Sequence, residues 1–183
     1  MLQIQRTLLQ GVKIINPIVH GDDRGYFLES YNKRELDQAL GLELNFVQDN
    51  QSGSRHGILR GLHYQIEQPQ GKLVRVIRGE VFDVAVDIRR SSVQFKQWFA
   101  TRLSAESGQQ LWLPAGYAHG FLVLSEWAEV AYKTTDYYAP EHERSLRYDD
   151  PQIGIEWPSV STLELSDRDA QAPAWADAEL PTH

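Results

Sequence analysis

Apolar and polar residues alternate along most of the chain with the two-residue period of strands, in short runs set apart by turn signals. The clearest run is Glu80-Val-Phe-Asp-Val-Ala-Val-Asp-Ile88. There Phe82, Val84, Val86 and Ile88 share one face, and Val81, Asp83, Ala85 and Asp87 share the other. Strands are predicted over Val12–Ile18, Tyr26–Tyr31, Phe46–Ser52, Gly57–Tyr64, Lys72–Ile77, Val81–Ile88, Gln97–Leu103, Gln109–Leu113, Gly120–Leu124 and Ala128–Thr134, with Gly71, Gly79, Gly108 and Gly116 between them. Helix signals are few. Asn32 as N-cap, the stretch Lys33–Leu40 and a stop at Gly41 predict a short helix, and Ser166-Asp-Arg-Asp169 a C-terminal turn. Many strands without helical crossovers predict an all-β antiparallel sandwich or small barrel with a few short peripheral helices. No repeat, low-complexity tract or linker divides the chain, so residues 1–183 are expected to form one domain. The stretch from about 170 to 183, with Pro173 and Pro181, is expected to be loosely held.

At 183 residues and 42% hydrophobic, the chain can bury about 70% of its unfolded surface, enough for one sizeable core. With 18 Lys and Arg against 25 Asp and Glu, the net charge is −7, which disfavours a nucleic-acid polymer as partner. A small anionic ligand needs only a few local basic groups and stays open. With no cysteine, disulfides, zinc ribbons and thiolate catalysis are excluded. The opening MLQIQRTLLQGVKII lacks an apolar run long enough for a signal or membrane span, so no membrane partner and a cytoplasmic location are expected.

Two segments carry chemistry. Gly57-Ile-Leu-Arg-Gly-Leu-His63-Tyr-Gln65 runs on through Gly71-Lys72 to Gly79, and Gly108-Gln-Gln-Leu-Trp-Leu-Pro114-Ala-Gly116-Tyr-Ala-His119 follows. Their glycine, proline and histidine spacings resemble the two motifs of the cupin superfamily, which implies a cupin-type double-stranded jelly roll. Metal-binding cupins ligate through a His-x-His pair, a later Glu and the second-motif His. Those positions read His63, Gln65, Lys72 and His119 here. A lysine ammonium has no lone pair to give and repels a divalent cation, so no metal and no cofactor are expected. Instead, a histidine can take a proton near neutral pH and a nearby ammonium can stabilise an oxyanion as it forms. That pair suits proton removal next to a carbonyl.

The resemblance narrows further on Asp22-Asp-Arg-Gly25, Phe46-Val-Gln-Asp-Asn50, Leu59-Arg-Gly-Leu-His63, Gln70-Gly-Lys-Leu-Val74, Gly79–Arg89, Pro114-Ala-Gly-Tyr-Ala-His-Gly-Phe121, Tyr132-Lys-Thr-Thr, Tyr137-Tyr-Ala-Pro-Glu-His-Glu-Arg144 and Ile153-Gly-Ile-Glu-Trp-Pro158. Together these blocks resemble the dTDP-4-dehydrorhamnose 3,5-epimerase family from about Val12 to Asp169. The resemblance implies epimerisation at C3 and C5 of dTDP-4-dehydro-6-deoxy-D-glucose, giving dTDP-4-dehydro-L-rhamnose. It implies His63 as general base, Asp169 as its orienting carboxylate, Lys72 as the enolate's partner and Tyr132 as the proton donor on the opposite face. Taken alone, Asp169 reads as a helix-terminus carboxylate and Tyr132 equally well as a core tyrosine.

The same resemblance places Arg24, Arg60 and Arg168 on the ligand, the first two on diphosphate oxygens, where a guanidinium bonds in two places at once. It places Glu29, Gln48, Asp49, Asn50 and Glu143 against sugar, base or neighbouring groups. Tyr138 stacks on the thymine, with Tyr137 a competing position, and Phe27 closes the other side of the base. His119 contacts the ligand or packs on Trp112. A homodimer with strands or loops crossing between subunits is implied too. A mono-epimerase or 3,4-ketoisomerase, a non-catalytic sugar-nucleotide binder and a metal-dependent cupin oxygenase are the competing readings.

One detail breaks simple alternation. Arg60 and His63 lie an odd number of residues apart, so a regular strand points them to opposite faces. A shared pocket requires an irregularity at Gly61.

Overall fold

The alternating runs fold as strands, and two broad sheets lay their apolar faces together. The computed structural model describes residues 2–181. One sheet has six strands in the order β1 (Gln3–Arg6), β2 (Lys13–Asn16), β10 (Gln110–Leu113), β7 (Lys72–Arg78), β12 (Trp127–Thr134) and β5 (Gln48–Arg55). The other has five, in the order β13 (Glu143–Ser145), β6 (Leu59–Gln65), β11 (Tyr117–Val123), β8 (Glu80–Asp87) and β9 (Trp98–Ser104). Strands β3 (Val19–Asp22) and β4 (Gly25–Leu28) form a separate hairpin. Neighbours in both sheets pair antiparallel. Between the sheets, Val74, Val76, Leu111 and Val130 of the first meet Val81, Ala85, Leu103 and Phe121 of the second. This is the all-β jelly roll of cupin type.

Strand β8 is buried on both faces, which explains its nearly unbroken apolar run. Val81 and Ala85 face the inter-sheet core, while Phe82, Val84, Val86 and Ile88 join Leu62, Leu146, Ile153 and Trp175 on the outside of the five-stranded sheet. The first helix, α1 (Lys33–Leu40), forms where predicted. The Asn32 side chain accepts from the Glu35 N–H at 3.3 Å, and Gly41 ends the helix in the left-handed region at φ 67°. Leu36 of α1 packs with Ile15, Leu73 and Trp112 on the outer face of the six-stranded sheet. The second helix, α2 (Asp167–Ala170), is a single turn capped by Ser166.

Strands β1, β3 and β13 were not predicted. Their sequences, Gln-Ile-Gln-Arg, Val-His-Gly-Asp and Glu-Arg-Ser, are short and polar, and only the neighbouring strand makes them extended. The expected loose tail is corrected over 170–181. Trp175 and Leu180 are buried in the outer cluster, the Trp175 ring lies 5.2 Å from that of Phe95, and the Trp175 N–H donates to Asp150 at 2.8 Å. The Tyr64 hydroxyl donates to the Glu179 carbonyl at 2.8 Å. The tail is held because it covers the apolar outside of β6 and β8; residues 182–183 lie outside the described residues.

Replacing Trp175 with Ala is expected to lower stability by about 3–5 kcal/mol, the usual loss for a buried large aromatic. Chemical denaturation checks this through a lower midpoint at unchanged slope.

Candidate active site

A cavity of about 310 Å³ opens between the sheets. From the five-stranded side, β6 contributes His63, Tyr64 and Gln65, and β13 contributes Glu143. From the six-stranded side come Gln48 and Asn50 of β5, Gln70 and Lys72 at the start of β7, and Tyr132 of β12. Tyr138 and Arg168 complete the wall.

The path of β6 decides what points inward. Opposite β11, His63 pairs with His119 and Arg60 with Phe121, so two residues of β6, Gly61 and Leu62, stand opposite the single Gly120 of β11. The extra residue resets the alternation and turns Arg60 and His63 to the same side. Gly61 is the residue that permits this. Its φ is +120°, and a Cβ there would lie 2.5 Å from Gly120 Cα and 2.7 Å from the His119 carbonyl. The irregularity expected at Gly61 is present.

His63 Nε2 lies 2.6 Å from Asp169 Oδ1, and the Gly61 N–H donates to Asp169 Oδ2 at 3.4 Å. Burial alone would raise the Asp169 carboxyl, but the hydrogen bond from His63, its proximity, and the Gly61 and Ser166 contacts hold it below the usual carboxylate range. Asp169 is therefore an anion facing an imidazole, more than a helix-terminus carboxylate. Lys72 is half-buried, and burial pulls its ammonium down to about 8 against the opposing charges of Glu143 and Asp83. Among the described residues its Nζ has no hydrogen-bonded or ion-paired partner. Burial also raises the Tyr132 phenol, reinforced by Glu143, so it stays protonated at neutral pH. Glu143 Oε2 accepts from the Tyr138 hydroxyl at 2.6 Å and from Arg168 Nη1 at 2.5 Å.

The other two positions of a cupin metal set are occupied by hydrogen bonding. The Gln65 amide donates to the carbonyls of Gln68 (2.8 Å) and Tyr137 (3.2 Å) and accepts from the Ala139 N–H at 3.0 Å. His119 Nε2 lies 2.9 and 3.0 Å from the two oxygens of Asp83, and both residues are buried. A set of two engaged groups, an ammonium and one histidine does not fit a metal ion.

Some predicted residues lie elsewhere. Arg24 and Phe27 sit on the exposed β3–β4 hairpin, where Arg24 pairs with Asp22. Glu29 lines a small cleft beside α1. Asp49 faces the outer side of the six-stranded sheet, bonded to Lys133 at 2.9 Å. Arg60 is exposed, with Nε donating to Ser54 at 3.0 Å. His119 is not on the cavity wall and belongs with Asp83 and Phe121, apart from the cluster that holds Trp112. Of the two tyrosines, Tyr138 lines the cavity. Tyr64, Gln70 and Asp83 were not singled out. Asp83 follows from the alternation in β8, which turns it inward, and Gln70 lies two residues before Lys72 in the stretch Gln70-Gly-Lys-Leu-Val74.

A jelly roll whose cavity joins a histidine–aspartate pair, a half-buried ammonium and a protonated phenol is a cupin-type site with the groups needed to move protons. A family model for dTDP-4-dehydrorhamnose 3,5-epimerase matches residues 6–177. The chain is 56% identical over 178 residues to the dTDP-4-dehydrorhamnose 3,5-epimerase of Pseudomonas aeruginosa, covering 97% of this chain and 98% of that one. With that of Salmonella typhimurium it shares 52% over 181 residues, 98% of this chain and 99% of the other. It superimposes at TM-score 0.97 and 49% identity on a dTDP-6-deoxy-D-glucose-3,5-epimerase from Legionella pneumophila in complex with dTDP-4-keto-L-rhamnose, covering 100% and 99% of the two chains. The chain belongs to the dTDP-4-dehydrorhamnose 3,5-epimerase family and is an isomerase.

The pKa of the Lys72 ammonium is depressed in the folded state, so its penalty is present in full below about pH 8 and fades as pH rises toward the ordinary lysine value of 10.5. Lys72→Met is therefore expected to be about 1–3 kcal/mol more stable than the parent at pH 7. The gap should close by pH 10.5, as read by denaturation at both pH values.

Proposed function

We propose that the cavity epimerises C3 and C5 of dTDP-4-dehydro-6-deoxy-D-glucose, giving dTDP-4-dehydro-L-rhamnose, with His63, Asp169, Lys72 and Tyr132 in the roles given above. The observation that carries this reading is the 2.6 Å His63–Asp169 pair on one wall with Lys72 and Tyr132 on the wall opposite. Asp169 fixes the imidazole tautomer and stabilises the imidazolium that forms. His63 removes the proton from the carbon beside the C4 ketone, and the electron pair moves onto the ketone oxygen. One of the N–H donors of the Lys72 ammonium meets that oxygen in a partly dry cavity, where such a charged contact is strong. Tyr132, on the other sheet, returns a proton to the opposite face of the same carbon; once the His63 imidazolium has given its proton to solvent and the Tyr132 phenolate has regained one from it, the sequence repeats at the second centre.

The nucleotide end is assigned to the rim. Arg168 on the cavity wall takes the diphosphate together with Arg60, which lies outside the wall beside Ser54, while Gln48, Asn50 and Glu143 orient sugar and base and the half-exposed Tyr138 ring stacks on the thymine. Arg24, Phe27 and Glu29 are away from this chain's own cavity, and the hairpin exposes Tyr26 and Phe27 at 69% and 68%. A homodimer in which this hairpin completes the partner's site accounts for both facts. Among the described residues no helix is long and apolar enough to cross a membrane.

Proton NMR of the keto sugar in D₂O tests the roles. The parent should take up deuterium at both centres with inversion. His63→Ala should lose uptake altogether, whereas Tyr132→Phe should keep uptake and lose inversion; uptake retained in His63→Ala removes the base. Shared sites have their own test. An equimolar mixture of His63→Ala with Arg24→Ala/Phe27→Ala, co-refolded, should recover about a quarter of parental activity, because half the dimers are mixed and each holds one intact site. Recovery of nothing rules out the crossed hairpin.

A further inference from the structure

The turn that carries Asp169 is too short to hold itself in place. Helix α2 has four residues, and a single hydrogen-bonded turn is unstable alone. Its backbone is anchored on either side, by Glu164 pairing with Gly57 and Leu59 and by the Pro173 carbonyl accepting from the Arg147 N–H at 3.0 Å. Between those anchors, the hydrogen bonds that tie the turn to the rest of the described residues come from two adjacent side chains. Asp169 reaches inward to His63 and Gly61, and Arg168 reaches along the rim to Glu143.

Both ties end on the same piece of sheet. In the β13–β6 ladder Glu143 stands opposite Gln65 and Ser145 opposite His63. A closed loop of contacts follows, from His63 through Asp169 to Arg168, on to Glu143, and back through the ladder to His63. Consecutive helical residues diverge by about 100°, so the two side chains brace the turn in different directions. Glu143 is well placed to serve as the fixed end: its side chain is only 13% exposed, and the Tyr138 hydroxyl donates to the same oxygen as Arg168.

We propose that Glu143 and Arg168 are positioning residues for the base: their ion pair clamps α2 so that Asp169 stays in line with the His63 ring. The clamp rests on the reading of His63 and Asp169 as base and orienting carboxylate, and adds to it a function for two residues otherwise assigned to substrate contact. Arg168 can do both, since a guanidinium has five N–H donors and Glu143 Oε2 takes one. The nucleotide end of the substrate thereby meets the group that braces the base. Loss of the brace costs alignment, and misplacement by about 1 Å lowers turnover on the order of 100-fold.

The test uses ligand-free protein labelled with ¹⁵N-histidine, in which the signals of His63 among six histidines are found by their loss in His63→Gln. The parent is expected to show a single His63 tautomer. Arg168→Met, a change at an exposed residue, should give an averaged pair of ring signals together with kcat lowered about 10–100-fold. Arg168→Lys, which keeps a cation beside Glu143, should retain the single tautomer whatever it does to KM. A single tautomer in Arg168→Met overturns the clamp. Asp169→Asn separates the two ideas: if it changes the His63 signals while Arg168→Met does not, the dyad stands and the clamp is lost, and if it leaves them unchanged, the dyad itself is wrong.

Discussion

A charge between two apolar sheets persists only where another charge or a set of hydrogen bonds answers it. That demand organises the interior of this jelly roll. Asp83 is answered by His119, Asp169 by His63 and two backbone or cap contacts, and Glu143 by Arg168 and Tyr138. Lys72 differs, being steadied by the fields of Glu143 and Asp83 without a direct bond to either. Its donors are thus free for an oxygen that acquires charge only during the reaction. An ammonium satisfied in the resting protein would have less to offer the transition state.

Much of the architecture was legible because it depends on side-chain period. β8 read correctly down to its two faces, and α1 was marked at both ends by Asn32 and Gly41. What escaped were segments whose structure is imposed from outside. Gln3–Arg6, Val19–Asp22 and Glu143–Ser145 have no pattern of their own to announce. The tail misled for the opposite reason. Its prolines signal irregular backbone, but irregular backbone can still be pinned by one buried tryptophan, as Trp175 shows.

For the site, residue types pointed to the chemistry and the family resemblance supplied the assembly. His63, Lys72, Tyr132, Tyr138, Glu143, Arg168, Gln48 and Asn50 come from five strands, a loop and a helical turn, yet line one cavity. No local spacing joins Asp169 to His63 across the chain; only the fold does so. Asp49 shows the limit of carrying a whole block over: its neighbours Gln48 and Asn50 point into the cavity, and strand alternation sends it to the other side of the sheet. His119 likewise keeps its motif position but turns to Asp83, where it serves the interior more than the wall.

The close approach at the kink in β6 has an evolutionary side. Gly61 and Gly120 face each other, and a methyl on either would strike the other's backbone or that of its neighbour. Neither residue can grow while its opposite stays put, and enlarging both only worsens the collision. Straightening this strand is thus closed to stepwise mutation, whereas the side chains around it remain free to change. Descendants of such a scaffold would be expected to diversify their reactions by swapping what surrounds the histidine, while the backbone that presents it is inherited unaltered.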